Sequence, residues 1–182
     1  MLITTNKVKE LNPCDDRFNN FTKEYPNYSG TLSEFLKLDK ITYSDKVWVF
    51  TRLLDKDTLV KWSIKCAESV KYIYDNEMKD GKLDSVFNTL KSIKDFNSMS
   101  ASEIEEVESA ARSAWSAEES VVRLAAAQLA ARSAAQSAAA WSARSKWSAE
   151  SAAWSARSAA DEKQQEKLNL DLLVQVLDEK GL

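Results

Sequence analysis

Apolar residues recur every three or four positions through most of this chain, and the elements that this spacing predicts are helices. Phe18 and Phe21 share a face behind Asp15 and Asp16, which suit a helix start. Pro26 and Gly30 punctuate the turn that follows. Thr31 or Ser33 is placed to cap a short helix holding Leu32, Phe35 and Leu36. Ser44 is placed to cap the next, with Val47, Trp48, Phe50, Leu53 and Leu54 inside. From Asp57 to Met78 the pattern is clearest. Leu59, Trp62, Cys66, Val70 and Ile73 follow one another at steps of 3, 4, 4 and 3, a single helical stripe that Asp80-Gly81 ends. Leu83, Val86, Phe87, Leu90 and Ile93 define another helix closing near Asn97. At the far end, Leu168, Leu172, Leu173, Val176 and Leu177 form the apolar face of a helix over residues 162–177, and Gly181 marks its stop.

Between these lies a stretch of a different kind. Of the 60 residues from 101 to 160, 22 are Ala and 13 are Ser. No Gly or Pro occurs between Lys82 and Lys180. Ser102 with Glu105 fits a capping box at its start, and Glu103, Glu106 and Glu108 lie where the helix dipole favours anions. One straight helix of this length would extend ~90 Å at ~1.5 Å per residue. Two or three helices are expected instead, with breaks near Glu118–Ser120 and Ala138–Lys146. Small side chains let helix backbones approach closely. The Ser residues fall mostly three or four apart, so they line stripes, and each hydroxyl can bond a carbonyl one turn earlier. Such a stripe fits a close-packed helix interface or a hydroxyl-lined ligand groove. The fold class is therefore all-α, a compact multi-helix bundle with closely packed Ala/Ser-rich helices in the C-terminal half. Residues 1–100 read as a subdomain of short amphipathic helices and residues 101–182 as an Ala/Ser-rich subdomain, within one continuous domain.

Four tryptophans, Trp115, Trp141, Trp147 and Trp154, interrupt the small residues, and Arg112, Arg144 and Arg157 each lie three positions from one of them. At that spacing a guanidinium can cover an indole face. Each Trp either fills volume that Ala leaves empty or belongs to an exposed Trp/Arg patch of the kind that dominates binding surfaces. These seven residues are the candidate partner-binding set.

Charge narrows the partner. The chain carries 25 basic and 28 acidic residues, net −3, and no segment is strongly basic, which disfavours nucleic acid. No apolar run approaches the ~20 residues of a membrane span, and the N-terminus lacks the apolar core of a signal peptide. Two distant thiols, Cys14 and Cys66, fit a reduced cytoplasmic protein. There is no histidine, which removes Ser-His and Cys-His nucleophile pairs and mixed Cys/His zinc sites. Nor is there a Gly-rich phosphate loop. Catalysis, a metal and a cofactor are not expected.

The segment Trp62-Ser-Ile-Lys-Cys66-Ala67-Glu-Ser-Val70, followed by a helix and the Ala-rich tract from Ala110-Ala111-Arg112-Ser113-Ala114, resembles the alanine-rich immunity-protein family of bacteria and phages. The opening Leu11-Asn-Pro-Cys14, with Phe18, Phe21, Tyr25-Pro26 and Trp48, is similar to a leader in phage proteins of this kind. The chain has Gly81-Lys82-Leu83 where members carry an Arg-Pro-Arg-type segment, and it lacks the His often found among the alanines. The resemblance implies a non-catalytic protein that binds and neutralises a toxin or defence effector. Two other functions fit the residues: sequestering a nucleotide-like ligand between the Ala/Ser helices, with Arg112, Arg132, Arg144 and Arg157 on phosphate, or homo-oligomeric self-assembly through Ala faces.

Overall fold

The computed structural model describes residues 1–78, 81–115, 130–131, 133–136, 138 and 142–181. The protein is all-α, with ten helices among the described residues. It divides into two compact units, residues 1–54 and residues 55–181.

The first unit begins with strand β1 (Leu2–Thr4), which pairs antiparallel with β2 (Ser29–Thr31). Hydrophobic spacing gave no sign of this ribbon, because three residues per strand are too few to show alternation. Between the strands run α1 (Thr5–Glu10) and α2 (Asp15–Glu24). Asp15 and Asp16 occupy the first turn of α2, and Phe21 is buried. Helix α3 (Leu32–Leu36) starts with a capping box: the Glu34 N–H donates to Thr31 Oγ1, and the Thr31 N–H donates to Glu34 Oε2. Helix α4 (Tyr43–Leu53) is capped by Thr42, which accepts the Asp45 N–H, and not by Ser44 as the sequence led us to expect. The core gathers Ile3, Phe21, Phe35, Val47 and Phe50.

The second unit is built on α5 (Lys56–Glu68), capped by Asp55. The single helix expected over residues 57–78 is two. After α5 the Val70 N–H bonds the Ala67 carbonyl in a tighter turn, and α6 (Lys71–Met78) follows. The Ser69 hydroxyl donates to the Cys66 carbonyl, taking an acceptor that a continuing helix would have used. Gly81 sits at φ +67°, which only glycine adopts freely, and opens α7 (Lys82–Ser92). Leu83, Val86, Phe87 and Leu90 are buried on one face of α7. The helix stops at Ser92, short of Asn97, and residues 93–100 turn back along α5: the Phe96 N–H donates to Asp57, and the Asp57 N–H donates to the Asn97 side chain. Helix α8 (Ala101–Trp115) is boxed by Ser100 and Glu103, two residues before the expected pair Ser102 and Glu105. It packs against α7.

Described residues from 130 to 138 are helical, and Ala130, Ala131, Ala134, Ala135 and Ala138 are fully buried. The Ser133 hydroxyl lies 3.2 Å from that of Ser151, 18 residues on. On one straight helix they would stand ~27 Å apart, so the chain reverses between them. Helix α9 (Ser142–Ala159) follows that reversal. The expected break near Glu118–Ser120 lies outside the described residues, as do residues 139–141 of the second. Helix α9 packs along α5 and turns Ala149, Ala152, Ala153, Ala156 and Ala159 into the core, each fully buried. Helix α10 (Glu162–Glu179), capped by Asp161, packs on both α5 and α9. Its inner face is Gln165, Asn169, Leu173, Val176 and Leu177, whereas Leu168 is exposed.

Candidate functional site

The predicted set is only partly visible. Trp141 lies outside the described residues. Arg112 and Trp115 lie on α8, and Arg144 and Trp147 on α9, but their side chains fall outside the described parts. Trp154 and Arg157 are brought together. One turn apart on α9, both are half-buried, and the Arg157 guanidinium carbon lies 4.7 Å from the indole centre. That cation is also ion-paired across the α9–α10 turn with Glu162 and, at 3.0 Å, with Glu166. Within the unit this pair fastens α9 to α10.

Beneath the fastening runs a buried polar seam that hydrophobic spacing did not reveal. The Trp62 indole N–H donates to the Asn169 carbonyl at 2.8 Å. The Asn169 amide donates to the Ala153 carbonyl at 3.1 Å. The Gln165 amide donates to the Asn169 Oδ1 at 2.8 Å and to the Ser69 hydroxyl at 2.7 Å. Each bond joins fully or largely buried groups, so the seam sets the register of α10 over α5 and α9. Cys66 lies in the same core, where burial pushes its thiol well above the ordinary range and disfavours the nucleophilic thiolate. Cys14 is exposed.

The first unit holds a second Trp/Arg arrangement, with the same physical signature as the predicted pairs but outside the region where we looked for them. Trp48 on α4 is half-buried. The Arg52 guanidinium, one turn on, lies 4.1 Å from the indole centre, and its Nη1 donates to the Trp48 carbonyl at 2.9 Å. The (i, i+4) spacing of Trp48 and Arg52 is the signal that would have found it. Trp48 forms one wall of an apolar cleft, with Pro13 and Phe18 beside it and Phe21 and Phe35 at its floor. At its margin the Arg17 guanidinium pairs with Asp45 at 3.0 Å, the side chains 55% and 26% exposed. An ion pair this exposed contributes little to stability, so it can exchange partners at little cost. The cleft encloses about 40 Å³, the room of a few waters or one apolar side chain at ~10–15 Å³ per water-sized sphere. It is too small for a nucleotide.

No group of three or more Asp, Glu, Cys or His able to hold a metal ion occurs among the described residues. No helix among them is long and apolar enough to cross a membrane. Comparison with family models, characterised proteins and solved structures found no match to this chain.

Proposed function

We propose that this is a non-catalytic, cytoplasmic interaction protein that binds another protein, and that it serves as a bacterial or phage immunity or anti-defence inhibitor. One observation carries the binding reading: the cleft of the first unit sets a half-buried Trp48, itself stacked by Arg52, and the exposed Arg17–Asp45 pair around an apolar depression sized for one side chain. Buried aromatic anchors flanked by Arg are the residue types that dominate protein interfaces. The inhibitor reading rests on the resemblance to the alanine-rich immunity proteins. The size of the cleft argues against a nucleotide there.

Affinity capture with the full chain tests the reading. Arg17→Glu reverses the charge of a largely exposed side chain and leaves the core untouched. Trp48→Ala removes the cleft wall. A protein retained by the wild type and lost with both variants, while each variant keeps its helical circular dichroism, supports the cleft as the site. Equal retention by all three chains refutes it. Stabilisation of the melting temperature by nucleotides, with no protein retained, would point to the sequestering function instead.

A further inference from the structure

The end of α10 is tied to the start of α5 by charge. The Lys180 ammonium lies 3.0 Å from Asp57 Oδ2 and 3.2 Å from Asp55 Oδ1, and it donates to the Thr58 hydroxyl at 2.9 Å. The Asp57 side chain is only 5% exposed. Its second ion-pair partner is Lys61 at 2.7 Å, and its other oxygen accepts the Phe96 N–H at 3.1 Å. Lys65 and Glu179 add an outer pair at 3.0 Å. The opposite end of α10 is held by the Arg157 pairs with Glu162 and Glu166. Between these ends the buried face of α10 is polar at Gln165 and Asn169 and apolar at Leu173, Val176 and Leu177, with Leu170, Leu172 and Val174 half-buried.

From this distribution we infer that α10 is a strap, latched by Lys180, that opens as a unit without the rest of the second unit unfolding. The physical reason is the kind of contact at each interface. Helix α9 is held to α5 by close apolar packing, which is lost only when the helices separate over their whole length. Helix α10 also buries Leu173, Val176 and Leu177, but both of its ends are held by ion pairs and hydrogen bonds, which water can replace one by one once an end lifts. Segments tied down by solvent-exposed polar contacts are among those that open below the global unfolding free energy. The latch is the decisive end. Without the Lys180 cation, the buried Asp57 carboxylate keeps Lys61 as its ion-pair partner but loses its tie to α10.

Hydrogen exchange on the full chain, resolved by segment, tests the strap. In the wild type the amides of residues 170–179 should exchange faster than those of residues 59–68 under conditions where closing outpaces exchange. Lys180→Met should raise exchange in residues 170–179 by ~10-fold or more, the loss of hydrogen bonds to a charged group, and leave α7 and α8 unchanged. Lys180→Arg should restore it. A common exchange rate for α5 and α10 in the wild type would overturn the inference. So would a Lys180→Met chain in which every helix of the unit speeds up together, or one that fails to fold, since the latch would then belong to the global core.

Discussion

Replacing Ala153 with Leu puts the central packing claim to its hardest test. Ala153 has no exposed surface and lies on α9, the helix that packs along α5. Its carbonyl accepts the Asn169 amide, so the same backbone also anchors α10. Three added carbons have no void to enter, and overpacking a filled core costs ~1–3 kcal/mol. Pushing α9 outward also strains the Asn169 bond, worth ~1 kcal/mol if lost. Together about 2–4 kcal/mol is expected, which at ~2–4 °C per kcal/mol for a chain of this size lowers the melting temperature by about 4–16 °C. Urea titration followed by circular dichroism at 222 nm measures it, and the slope should match the wild type. Ser158→Leu is the control, because Ser158 is exposed on the same helix and should change little. A midpoint for Ala153→Leu equal to that of Ser158→Leu would show that α9 has slack against its neighbours, and the argument for close approach would fail.

Other consequences are equally open to measurement. Asn169→Leu should destabilise by ~2–4 kcal/mol, since it leaves the Ala153 carbonyl without its Asn169 donor and takes an acceptor from Gln165; a neutral result in the same urea titration would mean the seam contributes nothing. Burial alone would raise the Asp55 carboxyl, but the Thr58 N–H and hydroxyl and the Lys180 ammonium outweigh it and hold it at about 2, against 3.8 for the free side chain. The folded value is the lower one, so this stabilisation is fully present above about pH 4 and is lost as pH falls through about 2. Asp55→Asn should flatten the acid limb of a stability-versus-pH curve in that window, and an unchanged limb would refute the assignment. One thiol, Cys14, should react with a disulfide reagent in the native protein, and Cys66 only on unfolding; two equally fast thiols would place Cys66 at the surface.

The stripe over Leu83, Val86, Phe87 and Leu90 was legible because a long run of one period leaves a single face to bury. At α10 the same logic found Leu173, Val176 and Leu177 but not the rest of the buried face. Leu168 and Leu172 share spacing with Leu173 and Val176, yet Gln165 and Asn169 are the buried neighbours. Hydropathy scores residues singly, and the amides are buried because the Ser69 hydroxyl and the Ala153 carbonyl accept from them. Caps slipped by two residues at Thr42 and Ser100, since several Ser, Thr and Asp residues compete within one turn and only the backbone path selects among them. The β1–β2 pair joins residues 25 to 29 positions apart, beyond the reach of a local pattern. Trp/Arg spacing of one helical turn marks both stacked pairs, Trp154 with Arg157 and Trp48 with Arg52, and the second lies outside the Ala-rich region.

The inner face of α9, alanine but for Ser155, has a consequence for how this sequence can change with time. Alanine has no side-chain rotamers to freeze, so seating this face costs backbone entropy but almost none from its side chains. Replacements larger than Ser overpack it, and Ser fits only where its hydroxyl bonds a carbonyl one turn earlier. Drift at such sites is thereby confined to a two-letter alphabet, and a low-complexity stretch can persist here because the geometry of its neighbours keeps selecting it.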